Sequence, residues 1–504
     1  MIAWPRRHGH DRKMSVCNDI PATCAPGDEC RFSESLAPQV AARPGLSGVV
    51  PLQDGRDAFA ARVLFADAAE RTLDVQYYIW HKDLSGTLLL EALRRAADRG
   101  VRVRLLLDDN NTSGLDGVLA ALDSHPQIDV RLFNAFRNRR WRWLGFLTDF
   151  SRLNRRMHNK SFTVDERVTI VGGRNIGDEY FGASGETLFI DLDVLAVGAV
   201  VADVARDFER YWASASAASL SGLLPPATPH GLAACAANAA DVARRDEARA
   251  YLQAIKELPI VSDLLMRRLP YTWAPTRMIS DDPAKGLSRE KPRDLVLRRL
   301  QEVLGTLQRE LYLISPYFVP TKRGTAFFAQ QARAGLRVKI LTNSLEATDV
   351  VAVHAGYMKR RKALLRAGVR LFELRRTAPQ RKRLLRMRGS SGTGSSGSSL
   401  HSKTFSLDRV RLFIGSFNFD QRSARLNTEM GFIIESPELA GASADAFDAQ
   451  VPGGAYEVRL QGGRLQWIER NDDTETIHYR EPGTTLRQRA LVRLISWLPI
   501  EWLL

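Results

Sequence analysis

The chain carries one long segment twice, and that duplication limits the folds open to it. Residues 71–109, RTLDVQYYIWHKDLSGTLLLEALRRAADRGVRVRLLLDD, run from a short apolar strand through a loop into a helix rich in small residues. They then pass Gly100 and enter VRVRLLLD. Residues 309–344, RELYLISPYFVPTKRGTAFFAQQARAGLRVKILTNS, repeat this order, with Gly335 before LRVKILT. Glycine is a helix stop and the alternating V-R-V-R suits a strand. Strand–helix–strand with a short exit loop is a βαβ unit and implies a parallel pair. The copies stay matched downstream: IDVRLFN at 128–134 with GVRLFEL at 368–374, and 157–180 with 400–423. Solenoid units are much shorter than this repeat. The expectation is an α/β protein of two homologous α-β-α lobes, with mixed, mostly parallel sheets packed as a pseudo-two-fold pair.

The third matched stretch holds the chemistry. MHNKSFTVDERVTIVGGRNIGDEY contains His158, Lys160, Asp165, Gly172, Gly173 and Asn175; LHSKTFSLDRVRLFIGSFNFDQRS contains His401, Lys403, Asp408, Gly415, Ser416 and Asn418, at the same offsets. HNKSFTV and HSKTFSL read as strands, so each His shares a face with its Lys. VDER and LDRV read as turns. The return strands then bring Asn175 and Asn418 toward their own His and Lys. One H-x-K would be an ordinary surface strand; two copies in two repeated lobes form a constellation. Asp165 and Asp408, at the turns, are expected to fix the hairpin or a neighbouring basic side chain. Asp193 in IDLDV and Glu429 in NTEMGF follow the two motifs in matching places. They are candidates to orient the imidazoles, or else structural strand carboxylates. Lobe one has Gly173 where lobe two has Ser416, so a hydroxyl contact is available there from one lobe only.

With this duplicated HxKxxxxD signature the chain resembles the phospholipase D superfamily, from about Val49 to the C-terminus. The resemblance implies that both motifs face one cleft and that the reaction passes through a phosphohistidine. Such chemistry is reasonable for these side chains. A neutral imidazole can attack phosphorus and split one hard displacement into two easier ones. The second imidazole protonates the leaving alkoxide, then takes a proton from the incoming hydroxyl. Two lysines and two asparagines hold the non-bridging oxygens, so no cofactor and no metal are expected. By family analogy His158 is the nucleophile and His401 the acid/base.

Substrate class rests on other segments. The 504 residues carry a formal net charge of +15, which points to an anionic partner. FRNRRWRWLGFLTDFSRLNRR at 136–156 mixes Arg with Trp, Phe and Leu just before the first motif, and RRTAPQRKRLLRMR at 375–388 lies before the second. Interleaved Arg and aromatic residues suit an anionic bilayer surface, though solvated faces or a nucleic-acid groove share the pattern. LRQRALVRLISWLPIEWLL at 486–504 reads as an interfacial helix with an apolar end, or as a helix docked on the protein. The wording GGRNIGDEYFG, YFVPTKRG, GSFNFDQRSARLNTEMGF and SWLPIEWLL is most similar to bacterial cardiolipin synthases, and to their C type, since no transmembrane helix is expected ahead of the catalytic part. This implies transphosphatidylation onto phosphatidylglycerol, from a phosphatidylglycerol or phosphatidylethanolamine donor, by an enzyme lying peripherally on the bacterial inner membrane. A phospholipase D-type hydrolase is the alternative and a nuclease a weaker one; nucleic acid is not an expected partner.

The expected domains are a flexible tail over 1–45, lobe one over 46–214, connecting helices and linker over 215–285, lobe two over 286–480 and an amphipathic tail over 481–504. Cysteines 17, 24, 30 and 235 match no zinc spacing. The Gly/Ser tract at 389–399 is either a plain linker or a loop beside the site.

Overall fold

The computed structural model describes residues 32–139, 141–183, 187–266, 268–289, 295–376, 397–471, 474–499 and 501. The three N-terminal cysteines, most of the basic stretch 375–388 and residues 389–396 of the Gly/Ser tract lie outside the described residues.

Strands β1 (Ser47–Leu52), β2 (Thr72–Tyr77), β3 (Arg102–Asp108), β4 (Ile128–Phe133), β5 (Ser161–Val164), β6 (Val168–Gly172), β7 (Thr187–Ile190), β8 (Asp193–Gly198), β9 (Ala217–Ser219) and β10 (Thr272–Ala274) come first. They are followed by β11 (Thr276–Ser280), β12 (Glu310–Ile314), β13 (Arg337–Asn343), β14 (Arg370–Leu374), β15 (Gly397–Leu400), β16 (Thr404–Leu407), β17 (Arg411–Gly415), β18 (Met430–Glu435), β19 (Ala455–Gln461), β20 (Arg464–Asn471) and β21 (Thr474–His478). One sheet has the order β10-β1-β8-β6-β5-β2-β3-β4-β9; the other has β11-β18-β17-β16-β12-β13-β14-β19-β20-β21. The two lobes and mixed sheets agree with the sequence reading, but "mostly parallel" does not. Within these two sheets, among the described residues, only β2–β3–β4 and β12–β13–β14 pair parallel. The βαβ repeats account for just these three strands in each lobe. The strands added to these two sheets beyond them are antiparallel, while β7 and β15 form a separate parallel pair between the lobes.

The repeated helices start and stop as their sequences require. Asp83 caps Leu84–Asp98 by accepting from the Gly86 amide, and Thr321 caps Lys322–Arg333 through the Gly324 amide. Gly100 and Gly335 then take φ of +94° and +92°, where a Cβ would be strained. Leu89, Leu93, Ala92 and Ala96 of the first helix are buried against the sheet; each leucine contributes about 2 kcal/mol on burial.

Asp165 and Asp408 occupy the motif turns with φ of +51° and +53°, followed by Glu166 and Arg409 at +55° and +57°. Two successive positive φ values make a tight hairpin turn, and Asp tolerates this region better than most residues. The Asp165 carboxylate accepts from the amides of Glu70, Arg71 and Thr72 at 3.0, 2.7 and 2.8 Å. Asp408 does the same for Gln308, Arg309 and Glu310. Both therefore staple the motif hairpin to the first residues of the central strand.

A layer of Val171, Val194, Ala196, Leu412, Ile414, Phe432 and Ile434 joins the lobes. The segment 215–285 is more than a linker. Its helices bury Tyr251, Ile255, Val261 and Leu264 against lobe one, while β10 closes the edge of one sheet and β11 that of the other. Phe32–Ala41, inside the tail expected over 1–45, is helical. The terminal helix Leu486–Trp497 buries Val492 beside Leu345 and Ala355, yet leaves Leu491, Leu494 and Trp497 exposed.

Candidate active site

The site forms where each motif's approach crosses into the other lobe. Met157 bridges Thr428 in parallel, and the His158 amide donates to the Thr428 carbonyl at 2.9 Å. Reciprocally, β15 pairs in parallel with β7, and the His401 amide donates to the Ile190 carbonyl at 2.8 Å. Thr428 is followed by Glu429 and Ile190 by Asp191, so each histidine meets a carboxylate of the opposite lobe. His158 Nδ1 donates to Glu429 Oε2 at 2.8 Å, and His401 Nδ1 to Asp191 Oδ2 at 2.5 Å. Fixing the proton on Nδ1 leaves the lone pair on Nε2.

Asp191, not Asp193, is thus the counterpart of Glu429. The register shows why: Gly172 pairs with Asp193 and Gly415 with Gly431, which sets Asp193 opposite Gly431 in the repeat and Asp191 opposite Glu429. Asp193 instead holds the buried Arg62 at 2.7 Å. Two acids two apart, Asp191 in the β7–β8 connection and Asp193 at the start of β8, give the sequence no means of choosing between them.

The remaining motif residues divide. Lys160 Nζ donates to the His158 carbonyl at 2.6 Å, and Lys403 Nζ contacts the His401 carbonyl and lies 2.9 Å from His401 Nδ1. All four side chains are buried. Ser416 Oγ donates to Glu429 Oε2 at 2.5 Å, and Ser423, which the sequence reading missed, donates to Oε1 at 2.6 Å. Asn175 accepts from the Ile79 amide and donates to Tyr180 Oη at 3.0 Å. The Asn418 carbonyl oxygen is buried and has no partner among the described residues. Asp165 and Asp408 lie at the far ends of β5 and β16 and touch neither histidine nor lysine. Three aromatic residues escaped notice: Tyr78 meets His158 edge-on at 5.0 Å, and Tyr180 and Phe189 lie 5.1 and 5.2 Å from His401.

Burial, then the charges of Lys160 and Lys403, hold the His158 imidazole well below its ordinary pKa. Burial and Lys403 also lower His401, but there Asp191 works in the opposite direction. Burial raises the Glu429 carboxyl, with Lys160 and Ser416 resisting. Burial would raise Asp191 too, but the His401 and Lys403 charges outweigh it and leave it well below the usual carboxylate range. Burial drives Lys160 well down and Lys403 to about 8, the latter opposed by Asp191 and Glu429. Two imidazoles and two lysine side chains packed this densely are suited to an anion with several oxygens, whose charge would favour their protonated forms. Elsewhere, His81, Asp83 and Glu179 bring their donor atoms within 4.8 Å of one another. Those atoms are engaged already: His81 pairs with Glu179 at 3.1 Å, and Asp83 accepts from the Gly86 and Asp178 amides.

Residues 65–212 and 300–451 match the family model described as "Cardiolipin synthase, PLD-like domain". The chain belongs to this phospholipase D-like family of cardiolipin synthases. Among its relatives it is 51% identical over 485 residues to cardiolipin synthase C of Escherichia coli, covering 94% of this chain and 100% of that one. It is 24% identical to cardiolipin synthase B of the same organism, covering 89% of each chain. A crystal structure of the Haemophilus influenzae phosphatidylserine synthase superposes with a TM-score of 0.56 at 12% identity, covering 94% of this chain and all of that one, which supports a common fold.

Proposed function

We propose that this cardiolipin synthase-family enzyme transfers a phosphatidyl group to phosphatidylglycerol, making cardiolipin through a phosphohistidine. The observation that carries the chemistry is the crossed pairing of His158 with Glu429 and His401 with Asp191 around two buried lysines. His158 Nε2 attacks the donor phosphorus. The bond to the headgroup oxygen breaks, and His401 gives that oxygen its proton, releasing glycerol from phosphatidylglycerol or ethanolamine from phosphatidylethanolamine. His401 then takes the proton of a hydroxyl on the acceptor phosphatidylglycerol. That oxygen attacks phosphorus, the N–P bond breaks and His158 is restored. Lys160 and Lys403 hold the non-bridging oxygens, with the side-chain amides of Asn175 and Asn418 beside them.

The unlike environments support this order. His158, kept neutral, is suited to attack; His401, next to a carboxylate that stays ionised, is better placed to carry a proton. Exposed apolar groups favour a bilayer-borne substrate and a peripheral place on the bacterial inner membrane. Trp141, Trp143 and Leu147 are 53, 63 and 74% exposed just ahead of the first motif, and Trp497 is 82% exposed on the terminal helix. No described helix is long and apolar enough to cross a membrane.

Purified enzyme incubated with labelled phosphatidylglycerol, with and without phosphatidylethanolamine, tests the reading. Cardiolipin supports it. Phosphatidic acid alone indicates a hydrolase, and cleavage of oligonucleotides without lipid turnover a nuclease. Phosphoenzyme label persisting in His158→Ala but absent in His401→Ala would reverse the order of the histidines.

A further inference from the structure

A second feature lies behind the catalytic centre. Phe417 and Phe419, on either side of Asn418, line a cavity of about 440 Å³. Phe327, Phe328, Leu297 and Leu304 complete an apolar lining. Its volume is in the range of sites that enclose small ligands. Two cations stand on it: Arg323 and Arg425 are exposed, line the cavity and have no carboxylate partner among the described residues. Other arginines in this lobe are ion-paired, as Arg361 is with Glu373 and Glu481.

Two connections tie the cavity to the rest of the molecule. One wall is the short helix Gln421–Arg425, whose Ser423 hydroxyl holds Glu429 at 2.6 Å. The cavity and the His158 imidazole are thus separated by that serine and that carboxylate. The same helix is bound to the end of the exposed aromatic segment of lobe one. Arg422 donates to Asn154 Oδ1 at 2.6 Å, and Arg155 to the Arg425 carbonyl at 2.9 Å. Trp141, Trp143, Leu147 and Phe150 are exposed in the stretch that leads into this contact.

We infer that the cavity is an acyl-chain site for an anionic phospholipid, with Arg323 and Arg425 at its rim facing the lipid phosphate. The apolar lining calls for hydrocarbon and the unpaired guanidinium groups for an anion, and one molecule supplies both. The inference rests on the phosphatidyl-transfer reading for its substrate class. It adds that the enzyme grips a lipid by one tail and by its phosphate at the arginine rim, apart from the phosphorus held at Lys160 and Lys403, so that chain length is read by the protein as well as by the bilayer.

The test uses the full chain in vesicles containing phosphatidylglycerol with a diazirine near the end of one acyl chain. Irradiation should label peptides carrying Phe327, Phe328 or Phe417, and an uncharged diglyceride with the same diazirine chain should label them far less. Leu297→Trp, which fills the cavity, should raise KM about tenfold for dioleoyl phosphatidylglycerol while leaving the dihexanoyl lipid unchanged, a loss comparable to two buried methylenes. Arg323→Glu with Arg425→Glu should weaken labelling by the anionic probe only. Equal loss with both chain lengths in Leu297→Trp, or equal labelling by charged and uncharged probes, overturns the assignment. Cardiolipin formed with no label in these peptides overturns the cavity site and leaves phosphatidyl transfer standing. Label there in a protein that turns over no phospholipid does the reverse.

Discussion

The two halves of the catalytic centre share a motif and a backbone path but not an environment. On the His158 side the carboxylate is a glutamate, bridged by the hydroxyls of Ser416 and Ser423, and burial favours its protonated form. On the His401 side it is an aspartate that stays ionised against the imidazole and Lys403. The Gly173/Ser416 difference follows from this. A Cβ on Gly173 would lie 2.2 Å from Asp191 Oδ1, so the shorter carboxylate reaches its histidine only where the neighbouring position has no side chain. The duplicated motifs thus sit in unlike surroundings, which fits the proposed division into an attacking half and a proton-carrying half.

Breaking either half at its centre should have the largest effect. His158→Ala should lose about 10⁴-fold or more in transfer and form no phosphoenzyme. His401→Ala should lose as much turnover yet still accumulate phosphoenzyme from a donor with a good leaving group, seen by acid-labile ³²P. Next come the carboxylates. Glu429→Gln and Asp191→Asn should each cost roughly 10- to 100-fold. The Asp191 change should be the larger and should shift the acidic limb of the pH–rate profile, because only that carboxylate supports a protonated imidazole. If both variants shift the profile equally, the division of labour is wrong.

Smaller effects test the finer differences. Lys403 must be charged to clamp phosphate, and burial brings its pKa to about 8. For the free enzyme kcat/KM should therefore be sustained below that value and fall as pH rises through it. Gly173→Ser should destabilise the protein by about 1–3 kcal/mol, measured by urea unfolding, because its Cβ overpacks Asp191. The reciprocal Ser416→Gly removes one hydrogen bond to Glu429, and a loss of only about three- to tenfold in rate is expected.

Much of this centre was legible in the sequence because duplication turns weak signals into a pattern. The histidines and lysines came from period-two spacing in a motif present twice, and the βαβ units from the repeated glycine stops. Three kinds of information were not legible. Asp191 could be told from Asp193 only by strand register, which depends on which residue pairs with Gly172. The antiparallel majority of the sheets arises from the motif hairpins, which pair antiparallel with the central strands, and from strands such as β1 and β10 that lie outside the repeated segments. The aspartates of the HxKxxxxD signature lie in the motif but act at the other end of the strand, on amides that sequence spacing does not associate with them.

The exchange of strand contacts between lobes also governs when the site can exist. Lobe one leaves the ribosome with His158 and Lys160 in place but with the loop of Glu429 not yet made; β7 likewise waits for β15. Because domains fold as they emerge, N-terminal part first, a half-made chain presents lobe one without His401, without Lys403 and with His158 lacking its Glu429 partner. The full set of motif side chains comes together only when the later part of the chain docks, so a truncated or stalled product holds half of the site.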